Sequence, residues 1–356
     1  MNAARNRAEV FCARFNLRVP ILLAPMAGAS APSLSIAVVN AGGLGACGAL
    51  AMQPAEIISW ADEVRSGGDG KFQINLWIPE PGPRRNPEHE ERIRNFLTNW
   101  GPAVPPEAGD AKLPDFAAQC EALLTAAPLA VSSVMGLYSP EFVAKLKQHG
   151  IAWFANISTV AEARAAADAG ADVIVAQGSE AGGHRGSFSA KDAEKQMVGL
   201  FSLLPAVVDA VHVPIVATGG IADTRGVAAA LILGASAVQI GTGFLRCPES
   251  KIHPAWADAI GRTAPEDTIV TRVFSGRPGR SIATNYVRAA IAPDAPAPAP
   301  YPVQRGLTAA MRAAAQKEGD VHRIQAWAGQ SAAMAQAEPA ATVVRRLWEG
   351  AQELLR

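Results

Sequence analysis

Eight short apolar runs, each followed by a stretch of helical spacing, constrain the fold of this chain more than any other feature. The runs fall at residues 19–25, 44–50, 72–77, 129–133, 151–156, 172–177, 213–217 and 237–240. They are nearly continuous in hydrophobicity rather than alternating, as expected of parallel strands buried on both faces. Glycines at Gly42-Gly43, Gly67-Gly68, Gly150 and Gly234 stop the intervening helices. Strand–helix alternation gives a parallel sheet, and a count of eight predicts a closed (β/α)8 TIM barrel over an open doubly wound sheet.

Two stretches break the rhythm. Residues 79–87 hold four prolines and open an insertion after the third strand, over about 79–126, with two helical pieces joined by Pro102, Pro105 and Pro106. Long connections of this kind tend to carry function. After residue 245 the pattern loosens. Residues 275–280 read Ser-Gly-Arg-Pro-Gly-Arg, residues 293–302 hold five prolines, and the tail is Ala-rich and helical. The expected division is a barrel over 1–245 and a helical extension over 246–356 that caps the barrel mouth.

Composition narrows the partners. Lys and Arg total 32 against 32 Asp and Glu, a balance that argues against nucleic acid or an anionic membrane as ligand. No run reaches the roughly 18 apolar residues of a membrane helix, and no apolar signal segment follows the N-terminus. Cys12, Cys47, Cys120 and Cys247 lie far apart, without metal or disulfide spacing. A cytoplasmic protein acting on a small molecule, as monomer or homodimer, is the expectation.

Barrel chemistry sits at the C-terminal ends of strands. The sixth strand ends in Gln177 and runs into Gly-Ser-Glu-Ala-Gly-Gly-His-Arg-Gly at 178–186. Glycines there let backbone amides approach a ligand, and His184 can move a proton. An ordinary pKa near 6.5 leaves that imidazole largely a base at pH 7. No second histidine or carboxylate cluster accompanies it, so no metal site is expected. Gly219-Gly220 and Gly241-Thr242 follow the seventh and eighth strands, where barrels often bind phosphate. Neither a Walker loop nor an opening G-x-G-x-x-G is present, so a mononucleotide such as FMN fits better than a dinucleotide. The amides of Asn75 and Gln177 suit the donor–acceptor edge of a flavin ring; local capping is the alternative. Glu180 can orient the turn, and Cys247 reads as a buried structural thiol.

The motifs Ala24-Pro25-Met26-Ala27-Gly28, Phe72-Gln73-Ile74-Asn75-Leu76, residues 176–186, Ala217-Thr218-Gly219-Gly220 and Val238-Gln239-Ile240-Gly241-Thr242 resemble those of class I nitronate monooxygenases, the 2-nitropropane dioxygenase-like flavoproteins. The resemblance spans nearly the whole chain. It implies a barrel holding FMN non-covalently, with His184 catalytic and Ala24, Pro25, Met26, Asn75, Gln177, Gly182, Gly183, Gly219, Gly220, Gln239, Gly241 and Thr242 lining the cofactor. It implies oxidation of alkyl nitronates such as propionate 3-nitronate, and of nitroalkanes, by O2 to a carbonyl compound and nitrite. Trp327-Ala328-Gly329-Gln330 is similar to the family's tail motif near the flavin. Tyr301 matches the substrate segment, whereas Arg305 stands where tyrosine is common, and Ala29 replaces a usual glycine. Relatives of the motif include FMN-dependent enoyl-ACP and NAD(P)H:quinone reductases. That activity, or a non-catalytic flavin-binding barrel, remains open at this stage.

Overall fold

The computed structural model describes residues 3–356. Strands β1 (Ile21–Leu23), β2 (Gly45–Gly48), β3 (Phe72–Trp77), β4 (Ala130–Val134), β5 (Ala152–Ile157), β6 (Val173–Gln177), β8 (Ile215–Thr218) and β9 (Ala237–Ile240) form one parallel sheet; the short β7 (Gly183–His184) lies outside it. Its order is β1-β9-β8-β6-β5-β4-β3-β2, and a parallel bridge between Leu22 and Leu44 joins the two ends. The predicted barrel is therefore present, each of its strands within three residues of the expected bounds.

Helix Ala3–Phe15, absent from the expected elements, packs at the end of the barrel where the strands begin. Its Phe11 and Phe15 rings stand 4.8 Å apart, and Phe15 meets Phe154 of β5 edge-on at 5.3 Å. With Leu17, Leu22, Leu44, Val173 and Val216 they form a buried cluster inside the barrel. Around the strands, a larger cluster packs the helices on the sheet. Local sequence sets the helix starts: Asp115, Ser139, Thr159 and Asp223 each accept a hydrogen bond from a backbone amide of the first turn.

The segment between β3 and β4 divides by packing. Helix Phe116–Ala126 lies in the outer ring against helix Pro54–Gly67. Helix Pro87–Leu97 joins Val273, Phe274, Tyr286, Val303 and Leu307 in a separate core above the mouth. The C-terminal region is not purely helical: β10 (Thr268–Thr271) and β11 (Gly279–Ile282) form an antiparallel sheet with β7. Its last helix, Ala340–Leu354, returns to the ring and packs on helices Thr224–Ile232 and Pro32–Asn40. Among the described residues no helix is long and apolar enough to cross a membrane.

Candidate active site

A cavity of about 240 Å³ opens where the barrel strands end. Ala24, Pro25, Met26, Asn75, Gln177, Gly182, Gly183, His184, Gly219, Gly220, Gln239, Gly241, Thr242 and Arg305 all line it. Tyr301 stands behind the wall, its ring 5.4 Å from that of the lining residue Trp77. Ala29 also lines the cavity, and its methyl packs in an apolar cluster with Leu245 and Ala328.

One side is a backbone cradle. Gly219 and Gly220 adopt φ of +107° and +70°, which L side chains rarely adopt. A β-carbon on Gly219 would also sit 3.1 Å from Ala181 N and Gly178 O. Among the described residues, the backbone amides of Gly219, Gly220, Gly241 and Thr242 donate to no partner in the chain. Four unmatched donors on two adjacent loops suit an anion with several acceptor oxygens.

The strand ends supply the polar floor. Asn75 Nδ2 donates to the carbonyl and hydroxyl of Ser132, at 3.2 and 3.1 Å, which leaves its Oδ1 for a ligand. Gln239 Oε1 accepts from Gln73 Nε2 at 2.9 Å. Gln177 differs from the expectation of a ligand-facing amide. Its Nε2 donates to His184 O at 3.1 Å and its Oε1 accepts from Gly186 N at 2.7 Å, so its amide holds the glycine turn in shape. Asn156, at the end of β5, lines the cavity with Nδ2 buried and unpartnered. The sequence reading passed over it, although it ends its strand much as Asn75 does.

The turn carrying His184 is braced from several sides. Buried Arg185 donates to Gly178 O at 2.7 Å, and Arg280 Nε donates to Ser179 O at 3.0 Å. Glu180 accepts from Leu200 N through both carboxylate oxygens, an anchor for the loop as anticipated. β7 pairs with β11, placing His184 opposite Gly279. The His184 ring lies between Trp77 and Trp327, with centroids 4.7 and 4.8 Å away. Nε2 is 2.8 Å from Ser275 Oγ, which also lies 3.2 Å from Arg277 O. With the hydroxyl proton directed at that carbonyl, Nε2–H donates to Oγ and Nδ1 is the unprotonated nitrogen.

Burial, followed by the charges of Arg277, Arg305 and Arg312, lowers the His184 pKa from 6.5 to about 3. The expectation of an ordinary histidine is thereby corrected: the imidazole is neutral at pH 7 and less basic than a free one. Of the three cations, Arg277 pairs with Glu80 at 2.8 Å. Arg312 Nη1 donates to Gln325 Oε1 at 3.2 Å. The Arg305 guanidinium has no ion pair or hydrogen bond to the chain among the described residues. The Tyr301 hydroxyl is buried without a partner, and burial raises its pKa to about 12, so it remains a donor. Burial likewise pushes the Cys247 thiol to about 12, which makes it inert.

The family model described as nitronate monooxygenase matches residues 10–350. A nitronate monooxygenase of Paraburkholderia phytofirmans is 38% identical, covering 92% of this chain and 91% of that protein. A probable nitronate monooxygenase of Staphylococcus aureus is 34% identical, covering 93% and 94%. Among solved structures, a nitroalkane oxidase from Streptomyces ansochromogenes superposes with TM-score 0.86 at 34% identity, over 96% of this chain and 98% of that one. FabK from Thermotoga maritima superposes with TM-score 0.75 at 27% identity, over 97% and 96%. The chain belongs to the nitronate monooxygenase family.

Proposed function

We propose that this protein binds FMN non-covalently and oxidises anionic alkyl nitronates, propionate 3-nitronate among them, with O2 to a carbonyl compound and nitrite. One observation carries the reading: a neutral imidazole faces a cavity with unmatched backbone donors at one end and an unpaired guanidinium at the other. Such a cavity accepts two anions, a phosphate and a substrate.

The residues fit FMN. The free amides of Gly219, Gly220, Gly241 and Thr242 would hold its phosphate. Asn75, Gln239 and Asn156 would bond the polar edge of its ring, with Ala24, Pro25, Met26, Gly182 and Gly183 shaping the space around it. Gln177 would act indirectly, by fixing the turn. Bound FMN would supply the electron transfer between nitronate and O2. On this reading residues 1–245 form the flavin-binding part and 246–356 shape the substrate end.

Everything else falls to side chains. Arg305, which lines the cavity, would hold the anionic substrate, while Tyr301, expected to share that task, stands off the cavity and backs Trp77. His184 Nδ1 would face the reacting group, placed by Ser275 and the two tryptophans. A nitronate has already lost its α-proton, so a weakly basic His184 suffices. A neutral nitroalkane must give that proton to His184, whose pKa recovers only as negative charge develops nearby. A cytoplasmic location accords with four buried free thiols.

The test is the visible spectrum of the purified protein, then anaerobic mixing with propionate 3-nitronate and, separately, NADPH. Flavin absorbance that bleaches with the nitronate alone supports the proposal. The likeness to FabK favours a second reading, an NAD(P)H-dependent reductase. Rapid bleaching by NADPH would select that one, and a colourless protein that takes up no FMN would sink both.

A further inference from the structure

The tail segment 326–331 touches both ends of the cavity. At the cradle, Gly329 N donates to Thr242 Oγ1 at 3.0 Å, Gln330 N to Glu180 O at 3.0 Å and Ser331 Oγ to Gly220 O at 2.5 Å. Each acceptor belongs to a loop that carries, or directly abuts, the free amides. Backbone meets backbone there: a β-carbon on Gly182 would fall 2.5 Å from Gly329 N, and one on Gly329 would fall 2.8 Å from Glu180 O. At the other end, two residues earlier, the Trp327 ring lies against His184. Gly279 lets the ring approach closely, since a β-carbon there would sit 2.9 Å from it. The indole of Trp256 fixes the same residue through its carbonyl, at 3.2 Å.

We infer that residues 326–331 are a clasp that ties the glycine cradle to His184, that the phosphate of FMN in the cradle tightens it, and that the clasp braces Trp327 against His184. The inference rests on the FMN reading above. The physical basis is that the clasp bonds Gly220 and Thr242 through groups other than their free amides. A phosphate on those amides rigidifies the two loops and so stabilises the acceptors on which the clasp depends. Retention of the cofactor and positioning of His184 are then one event. Gly329 and Ser331 are cofactor-retaining residues, and Trp327 is a positioning residue.

Hydrogen exchange of the peptide over 324–332 tests this in the full chain, measured without ligand, with FMN and with riboflavin, which lacks the phosphate. FMN should slow exchange at the Gly329 and Gln330 amides about tenfold, and riboflavin should not. Gly329→Ala should release FMN about tenfold faster, read as recovery of free-flavin fluorescence. Ser331→Ala should do so more weakly, and Ser331→Thr should restore retention; these two carry the test if Gly329→Ala does not fold. Trp327→Leu should lower kcat at unchanged KM and FMN content, with recovery in Trp327→Phe. FMN binding with unchanged exchange, or equal protection by riboflavin, would overturn the clasp and leave the flavin reading standing. Absence of FMN binding in the unaltered protein would overturn both.

Discussion

The two ends of the cavity are made from different material. At the cradle, the donors are backbone amides of two loops that follow neighbouring strands, β8 and β9. At the His184 end, the contacts are side chains gathered from distant parts of the chain. Trp77 comes from β3, Ser275 and Arg277 from the segment before β11, Tyr301 from the end of the proline-rich stretch, Arg305 from the short helix after it, and Trp327 from the tail. Main-chain chemistry at one end needs glycine at Gly219 and Gly220 but reads little of a ligand beyond charge and size. Side-chain chemistry at the other end can be retuned one residue at a time. The first end should therefore fix the cofactor, and the second should decide the substrate.

That contrast can be broken most sharply at Gly219. Gly219→Val places a branched side chain at φ +107° with backbone 3.1 Å from its β-carbon. The variant should fold yet bind FMN at least about 100-fold more weakly, measured by fluorescence titration. Unchanged affinity would remove the cradle from the account. Next comes His184→Asn, which should keep its FMN and lower turnover of neutral nitroalkanes about 100-fold while affecting preformed nitronates far less. Equal losses on both would rule out a proton-transfer role. Arg305→Gln should raise KM for an anionic nitronate about tenfold with kcat little changed; a fall in kcat alone would move Arg305 from binding to chemistry. Ser275→Ala removes one hydrogen bond from the imidazole, and a loss of about fivefold in kcat/KM is expected, near the net worth of one such bond.

The smallest effect concerns pH. His184 is neutral in the folded protein, with a pKa of about 3 against 6.5 when unfolded. The unfolded chain therefore binds more protons between those values, so this group's contribution to stability is full above pH 6.5 and falls as pH drops towards 3. Melting curves of His184→Asn should show a shallower decline across that window. An unaltered slope would mean that the imidazole is not held neutral.

The same contrast explains what the sequence disclosed. The barrel was legible because its period is local: apolar run, helix, glycine stop. The cradle was legible for the same reason, since Gly219-Gly220 and Gly241-Thr242 are contiguous and their place after a strand gives them meaning. His184 stood out by lying in a glycine turn. Ser275 and Trp77 carry no such mark, because what makes them part of the site is a tertiary distance; Asn156 carries the strand-end mark it shares with Asn75. The depressed basicity of His184 escaped for the same reason, since Arg277, Arg305 and Arg312 surround it only after folding. Gln177 shows the opposite error: position gave its neighbourhood, but only the hydrogen bonds show that its amide serves the turn. The strands in the cap were missed because β10 and β11 are four residues each and find their partners in one another, in β7 and in the tail at Trp327.

The return of helix Ala340–Leu354 to the ring has a consequence for how the molecule can be cut or grafted. The cap leaves the barrel after β9 and rejoins it through that helix, so it is held at both ends like a cassette. Removing everything after β9 would take a helix from the outer ring and uncover the faces of helices Thr224–Ile232 and Pro32–Asn40 on which it packs. Exchanging only the cassette, with the final helix kept, would instead offer a way to transplant one relative's substrate preference onto another's flavin site.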